Sequence, residues 1–441
     1  MAQQLYFSRD SKLFIEWSGT AGLWEVPILD GFSFSQATNS SEITLAEMES
    51  TTASSRRGRR LFNDSLAPVE WSFSTYMRPF KSAGGGVAGN ADNAAEVHSV
   101  EEVLWALMAA SDTYSSYQFT RTANSAAGGA VVTPGTASEA ITFAESNRSV
   151  LPTATLYFFV NTAEAHPVVY KLTNGAVNEA SIDFDVDGIA TINWSGFAKE
   201  ITDFSGSVIR KDAQPDNGET TIDTTAVAVG DIWIESDNDD AFHIMTNVGA
   251  GTEADVQAID EGTSATNNFI RNRLTQLAIT ADDTTTFPGA SNDGVYTLTL
   301  TGGNITITNN LTYLVPEELG LVNKPIENIT GARSVSGNFT CYLAFEDGGN
   351  NGTSTDFFND LTTTGSLEQV VNAFDLIFKV GGSAADNSVP EVQFHLDKAH
   401  IEIPSHSIED VISLETNFHG LGESIGDTDE VAITYYGPTP A

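Results

Sequence analysis

Cysteine and long apolar runs are nearly absent from this chain. Cys341 is the only cysteine among 441 residues, so no disulfide can form within one chain and no cysteine-based zinc site is possible. The longest apolar run, Val103–Ala110, is far too short to cross a bilayer. Met1–Asp10 has no basic region followed by an apolar core, so we expect no signal peptide and a soluble protein made in a cytoplasm.

Basic residues are also scarce. The chain has 20 Lys and Arg against 59 Asp and Glu, which gives a formal net charge of −39. This charge favours solubility and argues against binding nucleic acid by attraction, although an acidic surface is still compatible with a conduit for DNA. Hydrophobic residues make up 41%, which argues against disorder, and the length suggests two or three domains.

Strand signals dominate the sequence. Apolar and polar residues alternate in Val69–Ser74, Ile182–Asp187 and Val392–Asp397. A period of two places the apolar residues on a buried sheet face and the polar residues on the other face. Turn-rich stretches such as Asp347–Thr355 separate these segments. The pattern predicts a mainly β fold.

Two segments are predicted as helices, Ser99–Ala110 and Ser366–Phe378. Each has apolar residues at helical spacing, which predicts one apolar stripe on the helix. Each also begins with a possible capping box, Ser99 with Glu102 and Ser366 with Gln369, in which both side chains satisfy free amides at the helix start.

Four short elements recur in the same order, which favours an internal duplication. The spacing between the second and third elements is also nearly the same in both halves, and chance alignment of short β patterns is the alternative. The matched pairs are Val26-Pro27 with Val315-Pro316, Phe73–Met77 with Phe339–Leu343, Ser99–Leu107 with Ser366–Phe374, and Ile182–Asp187 with Val392–Asp397.

The duplication predicts three regions. We expect a first domain at 1–211, with an insertion at about 111–180, and a second domain at 292–441. The acidic stretch 212–291 lies between them as a linker or a small inserted decoration domain, with one strand-like piece at Asp231–Glu235.

No catalytic, nucleotide or metal motif is convincing. Nucleophile elbow, phosphate-loop and dinucleotide patterns are absent from the sequence. His395 and His400 belong to a group of four histidines near the end, but a spacing of five on a strand predicts opposite faces. Asp183, Asp185 and Asp187 match half a calcium loop, but the twelfth position is not Glu, so an acidic strand face is favoured. We expect no cofactor, no metal site and no catalytic residue.

The most unusual local feature is a basic cluster formed by Arg56, Arg57, Arg59 and Arg60. A nucleic-acid patch and a solvated loop are two interpretations. A third is a loop that docks on an acidic surface of a neighbouring copy, where opposite potentials set the register. The cluster lies in a long excursion between strand-like Phe32–Phe34 and Val69–Phe73, and long ordered loops are usually functional. We therefore take the cluster as a candidate subunit or inter-ring interface.

Two stretches, Asp30–Phe80 and Ser405–Glu423, resemble phage tail tube proteins. The resemblance implies tandem domains, each made of two packed antiparallel sheets flanked by an α-helix. It also implies rings of six domains that stack into a tube, with a long loop between early strands reaching the neighbouring ring. Because some members have a duplicated subunit, the duplication points to a homotrimeric ring.

The function that follows is a structural subunit of a phage tail tube and not an enzyme. Stacked rings would have an acidic lumen that conducts DNA during ejection, with Asp183, Asp185 and Asp187 as candidates for lining it. The implied partners are further copies and other tail proteins, such as the tape measure, the tail tip or baseplate and the terminator. DNA would pass transiently and non-specifically, no membrane would be bound, and the protein would lie in the virion tail after assembly in the host cytoplasm.

Other classes stay open at this point. The main alternative is an extracellular acidic β-domain adhesin or surface-layer protein, which usually has a secretion signal. Others are the tube protein of a contractile secretion machine, normally a single short domain, and a carbohydrate-active β enzyme. In the enzyme, tryptophans would stack on sugars; the candidates are Trp17, Trp24, Trp71 and Trp194, but Trp71 and Trp194 occupy strand positions for which burial is expected.

Overall fold

The protein is mainly β, as the alternating patterns predict. The computed structural model describes residues 11–17, 23–42, 61–81, 97–109, 132–133, 135–143, 150–161, 168–211, 221–222, 225–235, 241–247, 252–257, 268–282, 287, 289–290, 294–319, 322–345, 351–364, 374–383, 386–424 and 429–437.

Within those residues the chain forms 29 strands and two α-helices. The helices are α1 (Glu102–Met108) and α2 (Ser354–Thr364). The strands are β1 (Lys12–Trp17), β2 (Leu23–Val26), β3 (Ser33–Glu42), β4 (Leu61–Tyr76), β5 (Pro79–Lys81), β6 (Val97–Ser99), β7 (Val132–Thr133), β8 (Ser138–Thr142), β9 (Ala154–Asn161), β10 (Val168–Asp185), β11 (Thr191–Ala198), β12 (Glu200–Asp203), β13 (Val208–Lys211), β14 (Thr221–Ile222), β15 (Thr225–Ala226), β16 (Ile232–Glu235), β17 (Ala241–Asn247), β18 (Thr252–Gln257), β19 (Gln276–Ala281), β20 (Val295–Thr297), β21 (Leu300–Thr308), β22 (Thr312–Leu314), β23 (Glu327–Ile329), β24 (Ser334–Tyr342), β25 (Phe374–Ser383), β26 (Asp386–Ile401), β27 (Ser405–Ile408), β28 (Ile412–Leu421) and β29 (Ala432–Tyr436).

One layer is an antiparallel sheet that runs through both halves of the chain, and we call it the eight-strand sheet. Its order is β3-β4-β11-β10-β21-β24-β28-β27. The halves meet where β10 pairs with β21, with Ile182 opposite Ile305. Only the C-terminal part of β10 belongs to this sheet, because its N-terminal part pairs with β9 and β12.

The second layer consists of two smaller groups of strands. The N-terminal group has the order β2-β1-β9-β10-β12. The C-terminal group has the order β20-β19-β25-β26-β29 and continues into β8 and β7, which come from the N-terminal half. Strand β8 therefore extends a sheet of the other half, which ties the two halves together.

The pairing order of the N-terminal half is found again in the C-terminal half. Strand β1 joins β2 and β9 as β19 joins β20 and β25. Strand β10 pairs with β9, β12 and β11, and β26 pairs with β25, β29 and β28. The hairpin partners β3 and β4 correspond to β21 and β24.

The main core lies between the two layers. In the N-terminal half Phe158 of β9 packs on Phe34 of β3, with ring centroids 4.9 Å apart. In the C-terminal half Phe378 of β25 packs on Phe418 of β28 at 5.2 Å and on Phe184 of β10 at 5.7 Å. Each such aromatic removes a large apolar area from water, so these rings hold the layers together.

A third layer covers only the N-terminal group of the second layer. Strands β13, β16, β17 and β18 form a small sheet, and Ile232, Ile234 and Ile244 pack on the outer face of β1, β9 and β10. That face carries the cross-strand pair Phe159 and Val169, and the corresponding pair in the C-terminal half is Lys379 and Gln393. The apolar face needs a cover, and the polar face does not.

Helix α1 confirms the predicted helix at Ser99–Ala110 but not its capping box. Ser99 ends strand β6, and the residue that precedes the helix is Glu101, which has no side-chain capping bond. The Glu102 carboxylate instead lies 2.8 Å from Nδ1 of His98. The reason is that His98 and Glu102 are buried together, and this contact takes the carboxylate away from the helix start.

The second predicted helix, Ser366–Phe378, is wrong where the structure describes it, because strand β25 begins at Phe374. Residues 366–373 lie outside the described residues. The actual helix, α2, lies just before, and its capping box is formed by Thr353 and Asp356: the Thr353 amide donates to the Asp356 carboxylate at 3.0 Å and the Asp356 amide to Thr353 Oγ1 at 3.3 Å. Neither helix of the described part is long and apolar enough to span a membrane.

Helix α1 joins the two halves through a buried hydrogen-bond chain. The Trp105 indole donates to the Tyr435 hydroxyl at 2.8 Å, and that hydroxyl donates to the Glu101 carboxylate. Burial raises the pKa of the Glu101 carboxyl to about 7, partly offset by the bond from Tyr435. Because α1 belongs to the N-terminal half and Tyr435 to the last strand of the C-terminal half, these hydrogen bonds connect the two halves.

We expect Tyr435→Phe to lower the free energy of unfolding by about 1–3 kcal/mol, because it leaves two buried polar groups without their partner. Urea unfolding of the unassembled protein measures this. The matched control is Tyr436→Phe, whose half-buried hydroxyl makes only a 3.4 Å contact with Gln393, and it should change stability by no more than about 0.5 kcal/mol. Equal effects of the two variants would contradict the role of the junction chain.

Candidate functional site

One face of the eight-strand sheet is open and polar, and we call it the polar face. On β4, Trp71 and Phe73 point into the core, while Ser72 and Ser74 alternate with them. Because residues directly opposite each other in an antiparallel pair share a face, the registers extend this face across all eight strands.

Small uncharged polar residues make up most of the polar face. Ser, Thr and Asn have short side chains and Gly has none, and the same registers also place the aromatic residues Tyr76, Phe197 and Tyr342 on this face. Its small members are Ser33, Ser35, Ser72, Ser74, Thr191, Asn193, Ser195, Ser181, Gly302, Asn304, Thr306, Thr308, Ser334, Ser336, Asn338, Thr340, Ser413, Asn417, Ser405 and Ser407.

Cross-strand hydrogen bonds link many of these side chains. The hydroxyls of Ser33 and Ser72 are 2.9 Å apart, and Ser74 donates to the Asn193 amide oxygen at 2.7 Å. At the junction of the halves the hydroxyls of Ser181 and Thr306 are 3.1 Å apart. Such pairs hold the side chains against the sheet and leave few donors directed at a passing ligand.

The charged groups on the polar face are carboxylates, and the imidazole of His419 lies there as well, 3.7 Å from Glu402. Five acidic residues lie on it, namely Glu70, Glu179, Asp183, Asp185 and Glu415. The strands of this sheet contain no arginine, and their one lysine is Lys171, in the part of β10 that belongs to the other layer. The polar face is therefore negative within the described residues.

The three predicted lumen residues are not equivalent in the structure. Asp183 and Asp185 lie exposed on the polar face, opposite Asn304 and Gly302. Asp187 lies beyond the end of β10, in the exposed turn that leads to β11. Two of the three residues thus share one face, and the third marks the end of the sheet.

Both edges of the eight-strand sheet lack a partner strand among the described residues. Strand β3 pairs only with β4, and β27 pairs only with β28. The last residue of β27, Ile408, has 78% of its surface exposed. Unpaired edges with exposed apolar side chains are ready to pair with another chain.

The two ends of the sheet carry exposed apolar side chains. At the hairpin end, where β3 ends and β4 begins, Leu61 and Phe62 are about 60% exposed, at 59% and 62%. At the turn end, where β10 leads to β11 and β27 leads to β28, Val186 and Val411 are exposed beside Ile408. Exposed apolar groups gathered at opposite ends are typical of surfaces that other chains cover.

The arginine cluster at Arg56–Arg60 lies outside the described residues. The chain enters that segment from Glu42 and leaves it at Leu61, both at the hairpin end. The opposite turn end carries the exposed residues Asp187, Glu409 and Asp410, and Arg271 pairs with Ile189 at that end.

The histidines and tryptophans give no catalytic arrangement in the described part. Nε2 of His395 lies 2.9 Å from Asp375, and that hydrogen bond raises the pKa of the His395 imidazole. His395 lies opposite Ile377 in the second layer, whereas His400 lies opposite His419 of the eight-strand sheet, so the structure does not bring the two histidines together. The indoles of Trp24, Trp71 and Trp194 are buried and cannot stack on a sugar, and the Trp17 side chain lies outside the described residues.

Sequence reasoning missed the free edges and the hydroxyl-rich face. The first half of the sequence carries a signal for the face, since Ser33, Ser35 and then Ser72 and Ser74 alternate with apolar residues. The edges carry no such signal, because an unpaired strand and a paired strand have the same alternation.

Comparison with known proteins gives one relative. No model of a protein family matches this chain. The chain is similar to the tail tube protein pb6 of Escherichia phage T5, with 25% identity over 430 residues, which are 97% of this chain and 75% of the phage protein. The predicted resemblance to phage tail tube proteins is confirmed.

Proposed function

We propose that this chain is a structural subunit of a phage tail tube, which lies in the virion tail and assembles from further copies of itself. The observation that carries the proposal is the similarity to a tail tube protein over almost the whole chain. Two free sheet edges and two apolar sheet ends, all on one molecule, support assembly with other copies. Other tail proteins would cap the tube, and assembly would occur in the host cytoplasm.

The same proposal includes an internal duplication. Its support is the pairing order that occurs in both halves and the match of Phe73–Met77 on β4 with Phe339–Leu343 beginning on β24. On this basis the first repeat runs from β1 to β12 and the second from β19 to β29, with the third layer between them. The C-terminal part of β10 corresponds to β27, because each is the outermost of the four strands that its repeat gives to the eight-strand sheet, so we match Ile182–Asp187 with His406–Val411 and not with Val392–Asp397.

The repeats suggest how a ring closes. Ser74 and Thr340 are equivalent residues of the two repeats. Two strands away across the sheet, Ser74 is in line with Ser181 and Thr340 is in line with Ser405, so Ser405 is the equivalent of Ser181. Three residues further along each strand, Ile408 is therefore the equivalent of Phe184, which is only 5% exposed because the second repeat covers it. We infer that β27 pairs with β3 of the next chain as β10 pairs with β21, and that this pairing covers Ile408.

Three chains joined in this way would give six repeats around one axis. The junction inside the chain and the junction between chains would then have the same strand pairing, so a closed ring has no free edge. Mass measurement of isolated rings should give three chains. Six chains would keep the tube but remove the equivalence of the two junctions, and a persistent monomer would favour the adhesin alternative.

A disulfide across the proposed edge tests the ring. In the inferred register Ser407 lies opposite Ser33 of the next chain, at a Cα distance of about 4.5–5.5 Å, which a disulfide can bridge. We expect the double variant Ser33→Cys with Ser407→Cys to form covalent trimers on oxidation, seen by gel electrophoresis without reductant. Cys341 will not interfere, because it is buried, and burial raises the pKa of its thiol to about 12.

The matched control for that experiment uses the same strands out of register. Ser35→Cys with Ser407→Cys shifts one partner by two residues, or about 7 Å along the strand, which is beyond disulfide geometry. Equal crosslinking by both pairs would show that the edges do not meet in the inferred register. Crosslinking by neither pair in rings seen by electron microscopy would overturn the edge pairing.

Stacking of rings would bring the hairpin end of one ring to the turn end of the next. Exposed apolar groups lie at both ends, with Leu61 and Phe62 at one and Val186 and Val411 at the other. Charge would add direction if the arginine cluster, which lies in sequence between Glu42 and Leu61 of the hairpin end, meets Asp187, Glu409 and Asp410 at the turn end of the next ring. A head-to-tail contact of unlike ends repeats without limit, as a tube requires.

Replacing Arg56, Arg57, Arg59 and Arg60 together with Ser should weaken stacking at low salt while the fold is kept. The reason is the loss of attraction to the acidic turn end, and the difference from the natural protein should shrink at high salt, where the attraction is screened. Tube length in electron micrographs and sedimentation measure this. The control replaces the same four with Lys, which keeps the charge; equal tube formation by all three proteins would contradict the proposed contact.

The polar face is proposed as the wall of the channel. Carboxylates without neighbouring cations repel phosphates, and short hydroxyl and amide side chains that bond to each other offer DNA few contacts. DNA could then move through the tube without being held. The opposite assignment, with the polar face outside, would leave the third layer of the first repeat in the channel.

We expect Asp183→Lys with Asp185→Lys to make assembled tubes retain short DNA that the natural tubes do not bind. The retained DNA should be protected from nuclease, because it lies inside the tube, and should be released by salt. The control carries two lysines at Asp375 and Asp397, in the second layer, and any DNA it binds should be digested. Protection in the control and not in the first variant would reverse the assignment of the two faces.

A further inference from the structure

A group of metal-binding residue types is buried beside the junction of the two halves. Nδ1 of His98 lies 2.8 Å from the Glu102 carboxylate, and the Ser99 amide donates to the Glu139 carboxylate at 2.6 Å. One possible ligand atom from each of His98, Glu102 and Glu139 lies within 4.8 Å of the other two. All three side chains are almost fully buried, at 0%, 2% and 0% exposure.

We propose that His98, Glu102 and Glu139 form a binding site for one divalent transition-metal ion, with zinc as the best fit. Zinc binds both imidazole nitrogens and Asp or Glu oxygens, and its sites with three protein ligands leave a fourth position for water or another donor. Binding would use the neutral imidazole of His98 and the charged form of both carboxylates.

Burial also favours a cation at this place. A carboxylate sealed from water is costly as a charged group unless it is paired or coordinates a metal, and one divalent ion would neutralise both carboxylates. Two more polar atoms lie in neighbouring residues. The hydroxyl of Ser99 and one carboxylate oxygen of Glu101 are buried without a hydrogen-bond partner in the described structure. A buried polar atom of this kind calls for a ligand, an ion or a water.

The position of the site suggests what the ion would do. Its ligands come from β6, α1 and β8, and β8 is the strand that pairs with β29 of the C-terminal half. The neighbouring Glu101 carries the hydrogen bond from Tyr435 of the same strand β29. An ion would therefore fix helix α1 to the strand through which the two halves are joined, and it would stabilise that junction.

The chain supplies its own control site. Asp375, His395 and Asp397 also place three ligand atoms within 4.8 Å of one another, but Asp397 is exposed and His395 is about half-exposed. Water competes for an ion there, so we expect only weak binding at that surface group.

The test is elemental analysis of the untagged protein. The protein is produced in medium with zinc chloride, dialysed, and measured by mass spectrometry for zinc and the other divalent metals. We expect about one zinc ion per chain in the natural protein and in His395→Asn. Glu139→Gln and Glu102→Gln, which keep the side-chain shape, should each weaken zinc binding by roughly tenfold or more.

Three outcomes would overturn the proposal. The first is a natural protein that holds no divalent metal and whose melting temperature does not change when zinc chloride is added, since a ligand of the folded state must raise it. The second is zinc that is lost in His395→Asn and kept in Glu139→Gln. The third is full zinc content in both glutamine variants. Because the first measurement uses the natural protein alone, a variant that fails to fold leaves the test intact.

Discussion

The constraint on which this structure depends is that a sheet edge must be paired, covered or made unattractive. The eight-strand sheet solves the problem inside the chain by pairing β10 with β21, and there the side chains of Ile182 and Phe184 disappear into the core. The edge strands β3 and β27 have no such partner strand among the described residues. Folding of one chain and closure of the proposed ring therefore use the same kind of strand pairing, made once within a chain and again between chains.

Two properties of the polar face follow from that constraint. A sheet that is closed by backbone pairing needs no side chains on its open face for cohesion, so these positions can be short and uncharged. The permanent charges that remain are negative, because Asp183, Asp185 and Glu415 lie on this face and no lysine or arginine of these strands does. The core side bears the packing, and Phe158 on β9 and Phe378 on β25 each pack on the eight-strand sheet from the second layer.

An element could be predicted from the sequence where the spacing of its apolar residues fits either a strand or a helix but not both. Alternation at Val69–Ser74 predicted a strand because no helix has a period of two. Phe374 and Phe378 misled the helix prediction because a spacing of four fits both a helix and a strand, and Leu376 and Val380 complete the strand pattern. The pairing of β8 with a strand of the other half, and the burial of His98, depend on contacts distant in sequence, and local patterns do not contain them.

The third layer has a consequence for symmetry. It covers the outer face of the first repeat, where Phe159 and Val169 require a cover, and leaves bare the corresponding face of the second, where Lys379 and Gln393 do not. In the proposed ring the channel wall would be nearly six-fold, because both repeats contribute the same four strands to it. The outside would alternate between raised and bare sectors and would be only three-fold. A protein that grips the tube from outside would meet three equivalent places on each ring, whereas DNA in the channel would meet six.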